Sequence, residues 1–111
     1  MNKLGRYRRD GTPYPEGKAG LMEWGKDFEN KDIHLVKQDT LANGYFVSTV
    51  WLGLDHGMLG SVRPLIFETM VFRKGKDGVI KYNELDMSRY STEQEAIEGH
   101  NQMVEKWVNK K

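Results

Sequence analysis

The chain has 111 residues, no cysteine and nearly balanced charge, with 17 basic residues against 16 acidic ones. This length accommodates one domain with one modest core, so we predict a single domain over residues 1–111. The lack of cysteine excludes disulfides, thiolate metal sites and a cysteine nucleophile, and it fits a reducing compartment. The charge balance argues for neither nucleic acid nor a membrane as partner, and no apolar run approaches the roughly 18 residues of a membrane span. We therefore expect a cytoplasmic location and no membrane contact.

The first 20 residues combine basic charge with residues that interrupt helices. Residues 1–18 carry a net charge of +3, and Pro13 and Pro15 bias the residues before them towards extended geometry. We predict an irregular basic arm over residues 1–20. A solvated terminus is the simpler interpretation, and contact with a phosphate or an acidic partner is the alternative.

A short helix and a hairpin are predicted next. Leu21, Trp24 and Phe28 recur at helical spacing, which predicts a helix within residues 18–30. Residues 32–41 alternate as a strand does. The dipeptide Asn43-Gly44 follows, and it is typical of the type I′ turn of a tight hairpin.

Two long apolar runs, residues 45–52 and 65–72, form the centre of the predicted sheet. Both are rich in β-branched and aromatic residues. Both are apolar at successive positions, which predicts burial on each face by a helix on one side and by another segment or subunit on the other. A turn, a short edge strand over residues 79–83 and a linker through Tyr90 complete a four-stranded antiparallel meander.

The clearest helix begins after Ser91, a good N-cap whose partner in a capping box would be Gln94. One apolar stripe is predicted to pack on the sheet: Ala96, Ile97, His100, Met103, Val104, Trp107 and Val108. Gly99 lies beside it and would allow close approach to Trp51 or Phe67. The sequence therefore predicts an α+β fold, in which a C-terminal amphipathic helix packs on a small antiparallel sheet, with a short N-terminal helix and an irregular arm.

The crossover at residues 53–64 is the first candidate site. Asp55, His56 and Gly57 follow the end of a buried strand, and binding groups often stand on such loops. One hypothesis makes Asp55 and His56 hydrogen-bonding or metal-binding groups. The other makes Asp55 a turn residue and His56 an exposed loop residue. No second histidine or glutamate follows at ligand spacing, so neither a metal nor a cofactor is predicted.

Ser48, Thr49 and Thr69 are polar residues inside the apolar strands, and Glu68 and His100 are the ionisable residues within apolar elements. A buried carboxylate at Glu68 needs a partner. His100 is expected to be a core histidine satisfied by hydrogen bonding, and the alternative is that it meets Glu68 across the helix–sheet interface. With Asp55 and His56 these residues would form a His/carboxylate cluster. No nucleophile motif is present, so no catalytic residue is assigned.

Several segments together form a specific pattern: VSTVWLGLDH at 47–56, PLIFETMVF at 64–72, Arg89-Tyr-Ser-Thr, Glu95-Ala96, Gly99-His100 and Met103-Val104. In this pattern the chain resembles a family of small, uncharacterised phage and prophage proteins. The resemblance covers residues 44–105, and Arg89 joins the candidate binding residues through it. It implies a viral setting, in the cytoplasm of an infected host cell, and it implies no activity.

Three functions are compatible with these patterns. The first is a phage-type accessory protein that acts as a non-catalytic binding module for a host protein or a small ligand. The second is a small metal-dependent hydrolase that uses Asp55, His56, Glu68 and His100. The third is a nucleic-acid binder that uses the basic arm, although nucleic acid is not the expected partner. We also predict a homodimer, because two-sided apolar strands in a short chain leave surface to cover.

Overall fold

The computed structural model describes residues 5–55 and 63–110. The α+β fold and the four-stranded antiparallel meander predicted from the sequence are confirmed, and the strands lie in the sheet in the order of the sequence. No helix in these residues is long and apolar enough to cross a membrane. The elements are α1 (Gly17–Glu29), α2 (Lys31–His34), β1 (Leu35–Thr40), β2 (Tyr45–Trp51), β3 (Phe67–Lys74), β4 (Ile80–Tyr90) and α3 (Glu93–Trp107).

One face of the sheet forms the core beneath α3. Side chains alternate between the two faces along a strand, and the cross-strand pairs of β2 and β3 on the α3 face are fully buried. These pairs are Val47–Val71, Thr49–Thr69 and Trp51–Phe67. Phe46, Val50 and Met70 point to the opposite face and are partly exposed. The prediction of one face covered by the C-terminal helix is therefore correct.

The two hairpin turns have the same geometry. In the first turn the N–H of Leu41 donates to Tyr45 O, and the N–H of Gly44 donates to Leu41 O. In the second turn the N–H of Gly75 donates to Val79 O, and the N–H of Gly78 donates to Gly75 O. Gly44 and Gly78 have φ of 90° and 81°. This is a type I turn followed by a glycine bulge. The predicted type I′ turn is wrong, because it requires positive φ at both central residues and no described non-glycine residue has it.

The start of β1 differs from the prediction. Residues 31–34 form one helical turn, α2, and the strand begins at Leu35. The side chain of Asn30 caps α2 by accepting a hydrogen bond from the N–H of Asp32. Alternation of apolar residues suggested a strand here, but the local Asn cap favours a helical turn.

The edge strand β4 is longer than predicted. It runs from Ile80 to Tyr90, so the linker expected through Tyr90 is strand. Between the pairs Val71–Asp86 and Arg73–Lys81, β3 has one residue and β4 has four. We call residues 82–85 the β4 bulge. The bulge breaks the two-residue period along the strand, which is why its sequence did not indicate one continuous strand.

Helix α3 begins one residue later than predicted. Its N-cap is Thr92, which forms a capping box with Glu95, and Ser91 and Gln94 do not form it. The buried residues of the helix are Ala96, Gly99, His100 and Met103. Ile97 and Val108, assigned to the buried stripe from the sequence, are exposed, because the stripe is centred on the 96, 100 and 103 positions.

Gly99 allows α3 to approach Tyr90 of β4. A Cβ at this position would lie 2.2 Å from the tyrosine ring carbon Cζ and from its hydroxyl oxygen. The close approach expected from the sequence is present, but its partner is Tyr90, not Trp51 or Phe67. Gly25 in α1 differs, since a Cβ there would meet no atom within 4 Å.

We expect Gly99→Ala and Gly25→Ala to change stability in opposite directions. Overpacking against Tyr90 should lower the free energy of unfolding by about 1–3 kcal/mol in Gly99→Ala. Gly25→Ala should raise it by up to about 1 kcal/mol, because alanine is the better helix former and space is open. Urea unfolding of both variants measures this, and a stabilised Gly99→Ala protein would contradict the packing described.

Candidate functional site

The base of the predicted crossover site is covered by the N-terminal arm. The N–H of Tyr7 donates to Gly53 O and the N–H of Asp55 donates to Gly5 O, both at 2.8 Å. Gly53 is buried against Trp24, with a φ of 72° and no room for a side chain. The arm is therefore docked on its own core, and it becomes helical at Gly17.

Asp55 joins the two ends of the crossover. Its Oδ1 accepts a hydrogen bond of 2.9 Å from the N–H of Leu65, although the residue is exposed. This is the turn-stabilising role that the sequence left open for Asp55. His56 and Gly57 lie outside the described residues.

Glu68 and Arg89 are brought together as a cross-strand pair. They are Cα partners in β3 and β4, and Arg89 Nε lies 3.1 Å from Glu68 Oε2. The carboxylate is nearly buried and the arginine is one-third exposed. The buried acid thus has the partner that its burial requires.

Glu68 and His100 do not meet. His100 contacts Thr49, whose cross-strand partner is Thr69, and Glu68 precedes Thr69 in β3. Successive residues of a strand point to opposite faces, so Glu68 lies on the face away from α3. The alternative interpretation, a contact of Glu68 with His100 across the helix–sheet interface, is therefore wrong.

His100 belongs to a buried polar row beneath α3. Its Nδ1 lies 2.7 Å from Thr49 Oγ1, its Nε2 lies 2.7 Å from Asp39 Oδ2, and the Thr49 hydroxyl contacts that of Thr69. Both threonines and the histidine are fully buried, whereas the Asp39 side chain is partly exposed. The expectation of a core histidine satisfied by hydrogen bonding is confirmed.

Burial favours the neutral form of the histidine in this row. Desolvation lowers the pKa of His100 below its ordinary value, and the carboxylate of Asp39 opposes this shift. In the neutral tautomer with Nε2–H donating to Asp39, Nδ1 accepts from Thr49 and Thr49 accepts from Thr69. Each of the two hydroxyls then donates one hydrogen bond, and all donors in the row point the same way, from Thr69 towards Asp39. The row resembles an acid–histidine–hydroxyl triad in order, but its hydroxyls are enclosed between helix and sheet, so its role is structural.

Asp39 was not predicted to contact His100, and the two threonines were not predicted to contact each other. Thr49 and Thr69 interrupt the two apolar runs. In each strand the threonine lies an even number of residues from buried apolar residues of the same face, and this spacing was the available sign that the two hydroxyls lie together. Asp39 lies in the polar strand β1, where nothing distinguishes it before the register is known. Among residues 5–55 and 63–110, no group of three or more potential ligands could hold a metal ion.

The two edges of the sheet differ sharply in character. Strand β1 is short, and residues 37–40 are polar. Eight large apolar side chains are exposed in the described parts of the chain, and half of them lie within nine residues around β4: Val79, Tyr82, Leu85 and Met87. Tyr82 is 76% exposed, although its ring contacts Phe72 at 5.4 Å. An exposed apolar edge is a surface that natural proteins normally protect or use.

Comparison with known proteins gives no relative. No family model, no curated protein and no solved structure matches the chain.

We expect Thr49→Val to destabilise the protein more than Thr69→Val. Thr49→Val leaves the buried Nδ1 of His100 without a donor, which should cost about 1–3 kcal/mol. Thr69→Val removes one donor to a hydroxyl that keeps its bond to His100, and should cost about 0.5–1.5 kcal/mol. Urea unfolding of both variants is the measurement. The reverse order would contradict the hydrogen bonding assigned to the row.

We also expect stability to fall as the pH decreases from 7.5 to 5.5. Burial lowers the pKa of both His100 and His34 from the ordinary 6.5. The unfolded chain therefore binds protons more readily than the folded protein in this range, and protonation favours unfolding. The contribution of the neutral histidines is complete above pH 6.5 and is lost as the pH falls below it. The urea midpoint at each pH measures the effect, and a midpoint that rises towards pH 5.5 would contradict it.

Proposed function

We propose that this protein is a phage-type accessory protein that acts as a non-catalytic binding module, and that it binds a host protein through β4. The observation that carries the proposal is the concentration of exposed apolar side chains on and beside the β4 bulge. The resemblance to small phage proteins supports the viral setting.

The chemistry of β4 favours a protein partner. The bulge presents Tyr82 and Leu85 next to the partly exposed apolar face of the sheet, which includes Met70 and Met87. Burial of apolar surface contributes about 25 cal/mol per Å². Tyrosine and methionine are enriched in protein interfaces. A partner that covers the bulge would therefore gain most of its affinity from Tyr82, Leu85 and Met87.

The alternative functions have less support from the described residues. For the hydrolase, Glu68 and His100 lie on opposite sheet faces, and His100 is enclosed. For nucleic-acid binding by the arm, two of its cations are engaged within the protein. Arg8 forms an ion pair with Glu23, and Arg9 forms one with Glu93 while donating to carbonyl groups at the end of α2.

Site-specific photo-crosslinking in a bacterial host tests the proposal. A photoreactive amino acid replaces Tyr82 in one variant and Met22 of α1 in another, since both positions are largely exposed at 76% and 65%. We expect one protein to be captured at position 82 and not at position 22. Adding Leu85→Ser to the position-82 variant should reduce that capture at least tenfold. Adding Leu21→Ser should leave it unchanged, and the two leucines are a matched pair because Leu85 is 47% exposed and Leu21 is 48% exposed.

The mass measured by light scattering on the purified protein distinguishes a host partner from a second copy of the chain. A host protein captured at position 82 from a monomeric chain supports the proposal. Capture of a second copy, together with a dimer mass that Leu85→Ser converts to a monomer mass, would replace the host partner with the predicted homodimer. Equal capture at positions 22 and 82 would refute the role of β4.

A further inference from the structure

Basic side chains with no ion pair to a described residue gather at the end of the sheet where both hairpin turns lie. A shallow concavity of about 430 Å³ separates the turn at residues 41–44 from that at 75–78, and it is lined by Arg73, Lys74 and Lys76. Lys110, which lies beside the first turn at the end of α3, adds a fourth basic side chain, and Asp77 is the acidic residue of the second turn. We call this surface the hairpin end.

Aromatic rings hold two of the cations in place. The guanidinium of Arg73 lies 4.8 Å from the Tyr45 ring and donates to its hydroxyl at 3.1 Å. The Tyr45 ring meets Trp107 edge-on at 4.8 Å, and the ammonium of Lys110 lies 4.9 Å from the Trp107 ring. Cation–π contact orders these side chains without neutralising their charge.

The hairpin end extends across both faces of the sheet. Arg73 lies on the α3 side with Tyr45, while Lys74 lies near Phe46 and Thr40 on the other side. Asn43 fastens the first turn to the end of α3 by donating to the carbonyl groups of Trp107, Val108 and Lys110. The cations therefore follow a rigid edge made of two turns and a helix end.

No carboxylate in the described parts of the chain neutralises these charges. Lys106 nearby is paired with Asp86 at 2.7 Å. Residues 5–55 and 63–110 contain no ion pair to four cations of the hairpin end: Arg73, Lys74, Lys76 and Lys110. A surface of unpaired cations attracts a polyanion.

We propose that the hairpin end binds the phosphate backbone of a nucleic-acid duplex. Four cations spread along an edge match a ligand with repeated charges better than a single phosphate, for which they would converge on one point. Arg73 keeps guanidinium donors beyond the one given to Tyr45, and this planar fork suits phosphate oxygens. The rings of Tyr45 and Trp107 lie beneath cations and do not form the exposed stacking platform that single strands require. The contact is to backbone, so it is independent of base sequence.

This inference uses different residues from those of the β4 surface and stands independently of it. It also changes the expectation that nucleic acid is not a partner. That expectation rested on the net charge of the chain and on the arm, whereas this inference rests on the four cations of the hairpin end.

Fluorescence anisotropy with a labelled 20-base-pair duplex tests the proposal. Four phosphate contacts should give a slope of about −3.6 for the logarithm of the association constant against that of salt concentration, so doubling the salt weakens binding about twelvefold. Lys74→Gln/Lys76→Gln should halve the slope to about −1.8 and weaken binding at least tenfold at 50 mM salt. Both side chains are at the surface, and equal thermal midpoints would show that the fold is retained.

The matched control is Lys18→Gln/Lys31→Gln, which removes the same charge from two exposed lysines near α1, and its binding should be unchanged. Equal losses in the two double variants would overturn the assignment to the hairpin end. A single strand of the same length that binds as tightly as the duplex would overturn the choice of duplex. Polyglutamate that competes as well as unlabelled duplex would overturn the choice of nucleic acid in favour of an acidic protein.

Discussion

The register between β2 and β3 determines which side chains can work together in this protein. Pairing of Thr49 with Thr69 places both hydroxyls beneath α3, where His100 completes their hydrogen bonds. The same register sends Glu68 to the other face, where the adjacent strand supplies Arg89. A shift by one residue would exchange the two faces and leave the acid and the hydroxyls buried without partners. The polar residues inside the apolar strands are thus a means of fixing the register.

The overall fold was largely predictable because its signals are local. Apolar runs gave the two central strands, Asn43-Gly44 gave the first hairpin, and the stripe containing Ala96, His100 and Met103 gave the C-terminal helix. The errors arose where tertiary or local geometry overrides periodicity. Asn30 nucleates a helical turn in what looked like a strand, and the β4 bulge hides the continuity of the last strand.

The candidate site was less predictable, since its meaning depends on which residues lie opposite one another. The sequence singled out Glu68 and His100 as polar residues within apolar elements, and the resemblance added Arg89, but neither could give the sheet face of each residue. Asp39 and Thr49 acquire significance only through the register. Likewise, one cluster brings together residues from two strands and a helix end: Arg73, Tyr45, Trp107 and Lys110. These residues are far apart in the sequence, so the cluster could not be predicted from it.

The hydrogen bond from the Leu65 N–H to Asp55 has a consequence for how chains of this fold can diverge. It closes the crossover at its base, beside the bonds that the arm makes to Gly53 and Asp55. These bonds fix the two ends of the connection, and the entropic cost of closing a longer connection between fixed ends grows slowly with its length. A change in the length of this connection is therefore expected to cost little chain entropy, which makes it a place where chains of this fold can differ.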